Sequence, residues 1–141
     1  MDFTLIKVKE DDIPFLLELR INTMSEHFDK ANISLSIADH LELVQENFEC
    51  MYFILCGDVK IGMLKYEEVG CICKIYQLQI MPKQQNKGYG RAILSWFIKH
   101  STCKVLELNV LKQNRALNLY LSLGFVKVGE DKYEYHLRHK L

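Results

Sequence analysis

A short polar segment with two glycines constrains this chain more than any other feature, because it stands between a predicted strand and a predicted helix. It reads Gln-Asn-Lys-Gly-Tyr-Gly-Arg-Ala over residues 85–92. Glycine adopts torsions that other residues resist and lets a ligand approach the backbone closely. The first amides of a helix have no partner inside the helix and carry part of its dipole. The segment therefore predicts a site for a phosphate or pyrophosphate, with Lys87 and Arg91 adding positive charge at its rim.

Two common phosphate-binding motifs fit this segment poorly. A Walker loop ends in Gly-Lys-Ser/Thr, whereas here Lys87 precedes Gly88. The dinucleotide-binding fingerprint needs a third small residue where Ile93 stands, and it normally opens its domain. By itself the segment leaves two alternatives open, an ordinary turn and a nucleotide-binding domain that carries out no acyl transfer.

Length and composition indicate a single globular domain over residues 1–141. Of the 141 residues, 49% are hydrophobic and 26% are charged, which is close to the average for soluble proteins. The 18 basic side chains balance the 18 acidic ones, which argues against a nucleic acid or a membrane surface as the partner. No stretch approaches the roughly 20 apolar residues of a membrane span, and residues 1–5 lead straight into a strand-like pattern. We therefore expect a cytoplasmic protein.

The cysteines indicate neither a disulfide framework nor a metal site. Their number, five, is odd. Cys71 and Cys73 form a C-x-C pair without a second pair, so the spacing of zinc ligands is absent. We expect reduced, mostly buried thiols and no metal.

Hydrophobic periodicity predicts the element order β-α-α-β-β-β-α-β-α-β-β. The predicted strands cover residues 3–8, 51–55, 59–66, 71–81, 104–110, 125–128 and 133–137. The predicted helices begin near residues 14 and 36 and cover 91–100 and 114–123, with a loop over 27–35 and a turn over 67–70. This order predicts an α/β fold of mixed α+β character, in which about four helices flank one mixed, twisted sheet of about seven strands. Such sheets bind ligands beyond the carboxyl ends of their strands, where the loops after residues 81 and 110 lie.

A second motif follows the fifth predicted strand, at the expected distance from the glycine segment. It consists of Asn-Arg-Ala at 114–116, Leu-Tyr at 119–120 and Gly-Phe at 124–125. With Gln85, Gly88 and Gly90, which match the pattern Gln/Arg-x-x-Gly-x-Gly/Ala, the chain resembles the GNAT superfamily of N-acetyltransferases, in particular its small single-domain bacterial branch. The element order agrees over essentially the full length, although the first 50 residues match in pattern only.

The resemblance implies an enzyme that moves an acetyl group from acetyl-CoA to a primary amine of a small molecule, a peptide or a protein. The amine attacks the thioester directly through a tetrahedral intermediate, and a homodimer is compatible with the family. The residues that the resemblance assigns to the cofactor are Leu78, Gln79 and Ile80 through their main chain, Gln85, Asn86, Lys87, Gly88, Tyr89, Gly90 and Arg91 around the pyrophosphate, and Asn114 on the cofactor arm.

The same resemblance implies that Tyr120 points at the thioester sulfur and acts as general acid. The departing thiolate has a pKa near 8.5, and a tyrosine with a pKa near 10 stays protonated at neutral pH. An alkylamine with a pKa of about 10.4 must also lose a proton before it attacks. A CoA-binding regulatory or catalytically degenerate domain remains the alternative.

The resemblance does not identify the general base, because glutamine and asparagine stand where relatives carry glutamate. Gln77 and Gln79 occupy the strand before the glycine segment, and Asn109 occupies the next strand; none of the three accepts a proton at neutral pH. The remaining candidates are Glu67 or Glu68 acting through water, His27, or no side chain at all.

Acceptor recognition is expected from the variable loop between the first helices and from the final hairpin. The candidates by position are Arg20, Glu26, His27, Phe28, Tyr66 and Tyr76.

Overall fold

Seven strands and four helices form the fold in a computed structural model of the chain, which describes residues 2–30 and 33–141 apart from the side chains of residues 23 and 25–30. The strands are β1 (Phe3–Lys7), β2 (Met51–Cys56), β3 (Val59–Val69), β4 (Ile72–Ile80), β5 (Val105–Leu111), β6 (Val126–Glu130) and β7 (Glu134–Lys140). The helices are α1 (Ile13–Lys30), α2 (Ile37–Gln45), α3 (Tyr89–His100) and α4 (Ala116–Ser122). The strands form one sheet in the order β1-β2-β3-β4-β5-β7-β6. Only the β4–β5 pair is parallel in this described sheet.

The predicted fold class and element order are confirmed, and two of the boundaries that differ from the prediction have a clear physical reason. Residues 27–30, predicted as loop, continue α1 because no glycine or proline interrupts the helix after Pro14. Residues 67–69, predicted as turn, continue β3, since Val69 pairs with Ile72 and the chain reverses at Gly70. The β3–β4 hairpin is therefore longer than the apolar pattern indicated.

The start of α2 follows from two side chains that satisfy its first amides. Asp39 N donates to Ser36 Oγ at 3.1 Å, and Ser36 N donates to Asp39 Oδ2 at 2.9 Å. This reciprocal pair is a capping box, which satisfies donors that otherwise have no partner in the helix. The predicted helix start near residue 36 is confirmed.

The two faces of the sheet carry separate apolar clusters. One cluster packs against α3 and contains Ile54 and Phe97; the other packs under α1 and α2 and contains Phe53 and Leu16. Ile54 and Phe53 are neighbours in β2 and point to opposite faces, as the period of a strand requires. In the described part of the chain, no helix is both long and apolar enough to cross a bilayer.

A buried lysine joins the sheet to the end of α2. Lys65 in β3 donates to Leu43 O at 3.0 Å, to Val44 O at 3.4 Å and to Glu46 O. Burial lowers the pKa of Lys65 to about 8, while the carbonyls at the negative end of the helix favour the ammonium form. Lys65 therefore fixes α2 over the sheet as a charged C-terminal cap.

Gly62 in β3 is required by the close approach of β4. A Cβ atom built at Gly62 would lie 2.2 Å from the backbone oxygen of Gln79. We expect Gly62→Ala to lower the free energy of unfolding by about 1–3 kcal/mol, since backbone must move to accommodate the methyl group. Urea denaturation measures this loss.

Gly129→Ala serves as the matched control for Gly62→Ala. A Cβ at Gly129 makes only ordinary contact, 3.6 Å from His136 Nδ1, so its unfolding midpoint should stay near that of the wild type. Equal midpoints for the wild type and Gly62→Ala would contradict the prediction.

Candidate active site

The sheet opens between its two parallel strands. β4 and β5 pair from Ile72 opposite Val105 to Ile75 opposite Leu108, and the pairing stops there although both strands continue. β4 also carries a bulge at this point, because Tyr76 has no partner in β3. On the side that faces β5, residues 76–80 therefore present main-chain groups to a gap in the sheet, while residues 77–80 stay paired with β3 on their other side. The two strands therefore splay apart beyond Ile75 and Leu108.

The gap joins two cavities on opposite faces of the sheet. A small cavity on the α3 face is lined by Leu94 of α3, Leu78 of β4 and Tyr120 of α4, among others. A larger cavity of about 480 Å³ lies on the face of α1 and α2, and we call it the acceptor-side cavity. The residues that line both are Ile75, Tyr76, Gln77, Leu108 and Asn109.

The backbone of the glycine segment turns sharply into α3. Gly88 is the N-cap of α3, with φ of 83°, in the left-handed region that favours glycine. The first helical hydrogen bond runs from Ala92 N to Gly88 O at 3.1 Å. The amides of Tyr89, Gly90 and Arg91 precede this bond, so they are available to an anion in front of the helix.

Two side chains of the segment hold the protein itself in place. Gln85 Nε2 donates to Ile80 O at 3.0 Å, which ties the segment to the end of β4. Arg91 Nη2 donates to Ser122 Oγ at 3.0 Å, which ties α3 to α4. The motif glutamine and Arg91 therefore position the backbone amides in this structure.

The two residues between them are exposed. Asn86 has φ of 62°, and Lys87 Nζ lies 3.3 Å from Gln84 Oε1. This weak contact leaves the Lys87 ammonium exposed at the rim of the segment.

Tyr120 lines the small cavity. The ring lies edge-on to Phe125, with ring centroids 6.0 Å apart. Burial raises the pKa of Tyr120 to about 12. Tyr120 therefore keeps its proton near neutral pH. The difference between its pKa and the ordinary thiol pKa of about 8.5 is larger than the sequence argument assumed.

Asn114 has a structural contact that the sequence argument missed. Its Oδ1 accepts a hydrogen bond from Ala116 N at 2.9 Å, at the start of α4. This Asx-type contact orients the helix that carries Tyr120. The Asn114 amide nitrogen makes no such contact in the described structure, so it is available to a ligand.

Three consecutive residues of β4 were predicted to contact a cofactor through main chain. Leu78, Gln79 and Ile80 lie on the part of β4 that has no β5 partner. The Gln79 side chain is 5% exposed and neither its nitrogen nor its oxygen has a hydrogen-bond partner among the described groups. It points away from the α3 face, since it pairs with Met63 of the opposite cluster.

The predicted acceptor-binding residues separate into three groups. Tyr76 lines both cavities, and its hydroxyl donates to Glu67 Oε1 at 3.2 Å. Tyr66 lies away from the acceptor-side cavity, because its ring packs 5.2 Å from Phe97 on the α3 face. Its neighbour Lys65 lines the acceptor-side cavity, because successive side chains of a strand point to opposite faces of the sheet. The side chains of Glu26, His27 and Phe28 lie outside the described residues.

Charged residues of both signs line the acceptor-side cavity, and sequence reasoning named only one of them. The cations are Arg20, Lys65 and Lys74, and the carboxylates are Glu46, Glu107 and Glu134. They come from α1, the end of α2 and four different strands, so no local motif joins them. The only sequence signal for Glu107 and Glu134 is a polar position in an otherwise apolar alternating strand.

A mixed sheet opened between parallel strands, with a glycine segment at the head of the next helix, defines an acyl-CoA-dependent acetyltransferase. The family described as Acetyltransferase (GNAT) domain matches residues 22–140. The chain belongs to this GNAT acetyltransferase family, and its cofactor is acetyl-CoA. A comparison with curated protein sequences finds no significant match.

Several solved structures share the fold. The acetyltransferase from Thermus thermophilus has a TM-score of 0.77 at 18% identity, over 100% of this chain and 98% of that chain. The PaiA N-acetyltransferase from Thermoplasma acidophilum in complex with coenzyme A has a TM-score of 0.73 at 15% identity, over 100% of both chains. The spermidine N-acetyltransferase from Vibrio cholerae in complex with CoA and spermine has a TM-score of 0.64 at 20% identity, over 96% of this chain and 92% of that chain.

Proposed function

We propose that the chain acts as one N-acetyltransferase domain that transfers the acetyl group of acetyl-CoA to a primary amine, with Tyr120 as general acid. The observation that carries this proposal is the gap between β4 and β5, which joins a small cavity lined by Tyr120 to a large cavity with charged lining residues on the opposite face. A donor and an acceptor that enter from opposite faces meet in this gap.

The donor side is built from main-chain groups. The amides of Tyr89, Gly90 and Arg91 are suited to the pyrophosphate of acetyl-CoA, because they are unpaired and lie at the positive end of α3. The free edge of β4 over residues 76–80 is suited to the amide-rich pantetheine arm, which pairs with a strand edge as another strand would. In this arrangement the thioester ends beside Tyr120.

The chemistry at the gap needs a proton at the leaving sulfur. When the amine nitrogen has added to the thioester carbonyl, the C–S bond breaks and the thiolate takes a proton from the Tyr120 hydroxyl. The raised pKa of Tyr120 keeps this proton in place until the sulfur gains charge. The proton lost by the nitrogen restores Tyr120, so the step is balanced.

An amine is favoured as the acceptor by the carboxylates of the acceptor-side cavity. A structural relative is described as a spermidine N-acetyltransferase, which supports an amine here as well. A small polyamine, a free amino acid and a peptide or protein amine all fit a cavity of about 480 Å³ that is open to solvent. We expect the protein to act in the cytoplasm, and a homodimer remains a prediction.

Calorimetry and a thiol-release assay test the proposal together. We expect binding of CoA and acetyl-CoA by the folded protein, no binding of NAD, and release of free CoA thiol with at least one of spermidine, free lysine and a peptide with a free N-terminus. Binding of CoA without thiol release across such a panel would favour the degenerate CoA-binding domain. The absence of a carboxylate at Gln77 and Gln79 is the observation that supports this alternative. No binding of CoA would exclude both.

A further inference from the structure

Three carboxylates line the acceptor-side cavity, and they differ in their partners. Glu107 accepts a hydrogen bond from Arg138. The Glu46 charge acts on Lys65, where it opposes the effect of burial on the lysine pKa. Among the described side chains, neither Glu46 nor Glu134 makes a hydrogen bond or an ion pair through its carboxylate, but the Glu46 charge also acts on Arg20. Glu134 is therefore the cavity carboxylate that has neither a bonded partner nor a lysine or arginine acting on it, and we infer that it is the one open to a ligand.

The sheet register places Glu134 near the gap. Glu134 begins β7 and lies directly opposite Leu111, the last residue of β5. Asn109, two residues earlier in β5, lines the gap and both cavities. Asn109 and Glu134 are diagonal neighbours on one face of the sheet, about 7–8 Å apart. A carboxylate at the end of the glutamate side chain reaches the space in front of the gap, where the acceptor nitrogen must stand.

Other titratable groups near this space are engaged elsewhere. His136 Nε2 lies 3.1 Å from Asp131 Oδ2, and His136 does not line the cavity. Glu67 accepts hydrogen bonds from the Tyr76 hydroxyl and from Cys50 Sγ. In the described part of the chain, neither group has Glu134's combination of a free carboxylate and access to the gap.

We propose that Glu134 is the general base of the reaction and receives a proton from the ammonium group of the acceptor. This inference rests on the proposed amine acetylation. One ammonium proton passes to the Glu134 carboxylate and then to solvent, and the neutral nitrogen adds to the thioester carbonyl. As the C–S bond breaks, the nitrogen releases a second proton and the thiolate receives one from Tyr120. The products are the N-acetylated amine, CoA thiol and one proton.

The electrostatic surroundings of Glu134 agree with this role. Burial, and then the charge of Asp131, raises the pKa of Glu134, while His136 acts in the opposite direction. A higher pKa makes the carboxylate a stronger base. The other charged groups that face the cavity, element by element, are Arg20 of α1, Glu46 after α2, Lys65 of β3, Lys74 of β4 and Glu107 of β5. Arg138 of β7 pairs with Glu107.

The pH dependence of Glu134→Gln tests the proposal, with the wild type measured in parallel on the panel amine that it acetylates fastest. We expect kcat/KM to fall about 100- to 1,000-fold near pH 7. The ratio of wild-type to variant kcat/KM should fall about tenfold per pH unit as the pH rises toward the amine pKa of about 10.4. The reason is that the variant uses only amine that is already neutral in solution, and this fraction rises about tenfold per pH unit. The Kd for CoA should not change, because Glu134 lies on the acceptor side.

Glu130→Gln is the matched control, and it removes a carboxylate from the same hairpin. Glu130 pairs with Lys112 and lines neither cavity, so its rate and pH profile should equal those of the wild type. A Glu134→Gln enzyme whose kcat/KM is unchanged, or is lowered by the same factor at every pH, overturns the assignment of the base. If the wild type nevertheless acetylates an amine, the proposed function is still supported and only the assignment of Glu134 is wrong. A wild type that binds CoA and acetylates no amine overturns both.

Discussion

Replacing Tyr120 with phenylalanine is expected to lower kcat by about 10- to 1,000-fold, with little change in the Kd for CoA. The ring and its packing against Phe125 are retained in Tyr120→Phe, so the variant loses only the hydroxyl that we propose as the proton donor to the leaving thiolate. Single-turnover acetylation at saturating acetyl-CoA measures the chemical step separately from product release. Since burial raises the pKa of Tyr120 to about 12, the wild type should show no loss of this acid up to about pH 10.

A second tyrosine provides the control for this experiment. Tyr133 precedes β7, is 37% exposed and lines neither cavity, so Tyr133→Phe should retain the wild-type rate. A Tyr120→Phe enzyme with an unchanged single-turnover rate would remove Tyr120 from the role of general acid.

Gly90→Val is expected to weaken CoA binding by about 100-fold or more, which corresponds to about 2.7 kcal/mol. The valine side chain would project from the first turn of α3 into the space in front of its free amides, and the pyrophosphate would lose charge-assisted hydrogen bonds of about 1.5–3 kcal/mol each. Within the protein, a Cβ at Gly90 meets only Leu119 Cδ2, at 3.6 Å. We therefore expect the loss to concern the ligand more than the fold, and calorimetry with CoA measures it.

Ser95→Val is the matched control, because it places the same branched side chain on an exposed position of the same helix. Both variants should unfold near the wild-type temperature, and only Gly90→Val should lose CoA. If Gly90→Val bound CoA with wild-type affinity, the amides at the head of α3 would not be the pyrophosphate site.

The parts of the fold that were predicted from the sequence are those with local signals. The Ser36 cap, the apolar face of α3 and the glycine segment each depend on residues within about two helical turns of one another. Even there, the β3–β4 hairpin was predicted too short. Glu67 and Glu68 resemble turn residues by composition, while cross-strand pairing with Lys74 and Cys73 keeps them extended.

The candidate site was predicted in part for the same reason. The glycine segment and Tyr120 lie in two compact motifs, so their residues were recognisable in the linear sequence. The charged lining of the acceptor-side cavity was largely missed, because it comes from separate elements. Tyr66 and Lys65 differ by one position in β3, and only the direction of the strand's alternation decides which of them faces the cavity.

By itself, the sequence determined the order of the elements, the position of the glycine segment and membership of the acetyltransferase family, because each depends on periodicity or on motifs of a few adjacent residues. The tertiary structure alone decided where β4 and β5 separate and which side chains meet across that gap. Glu134 and Asn109 become neighbours only through the register of β7 on β5. Strand register is set by side-chain packing over the whole sheet, so it has no signature in any single stretch of the chain.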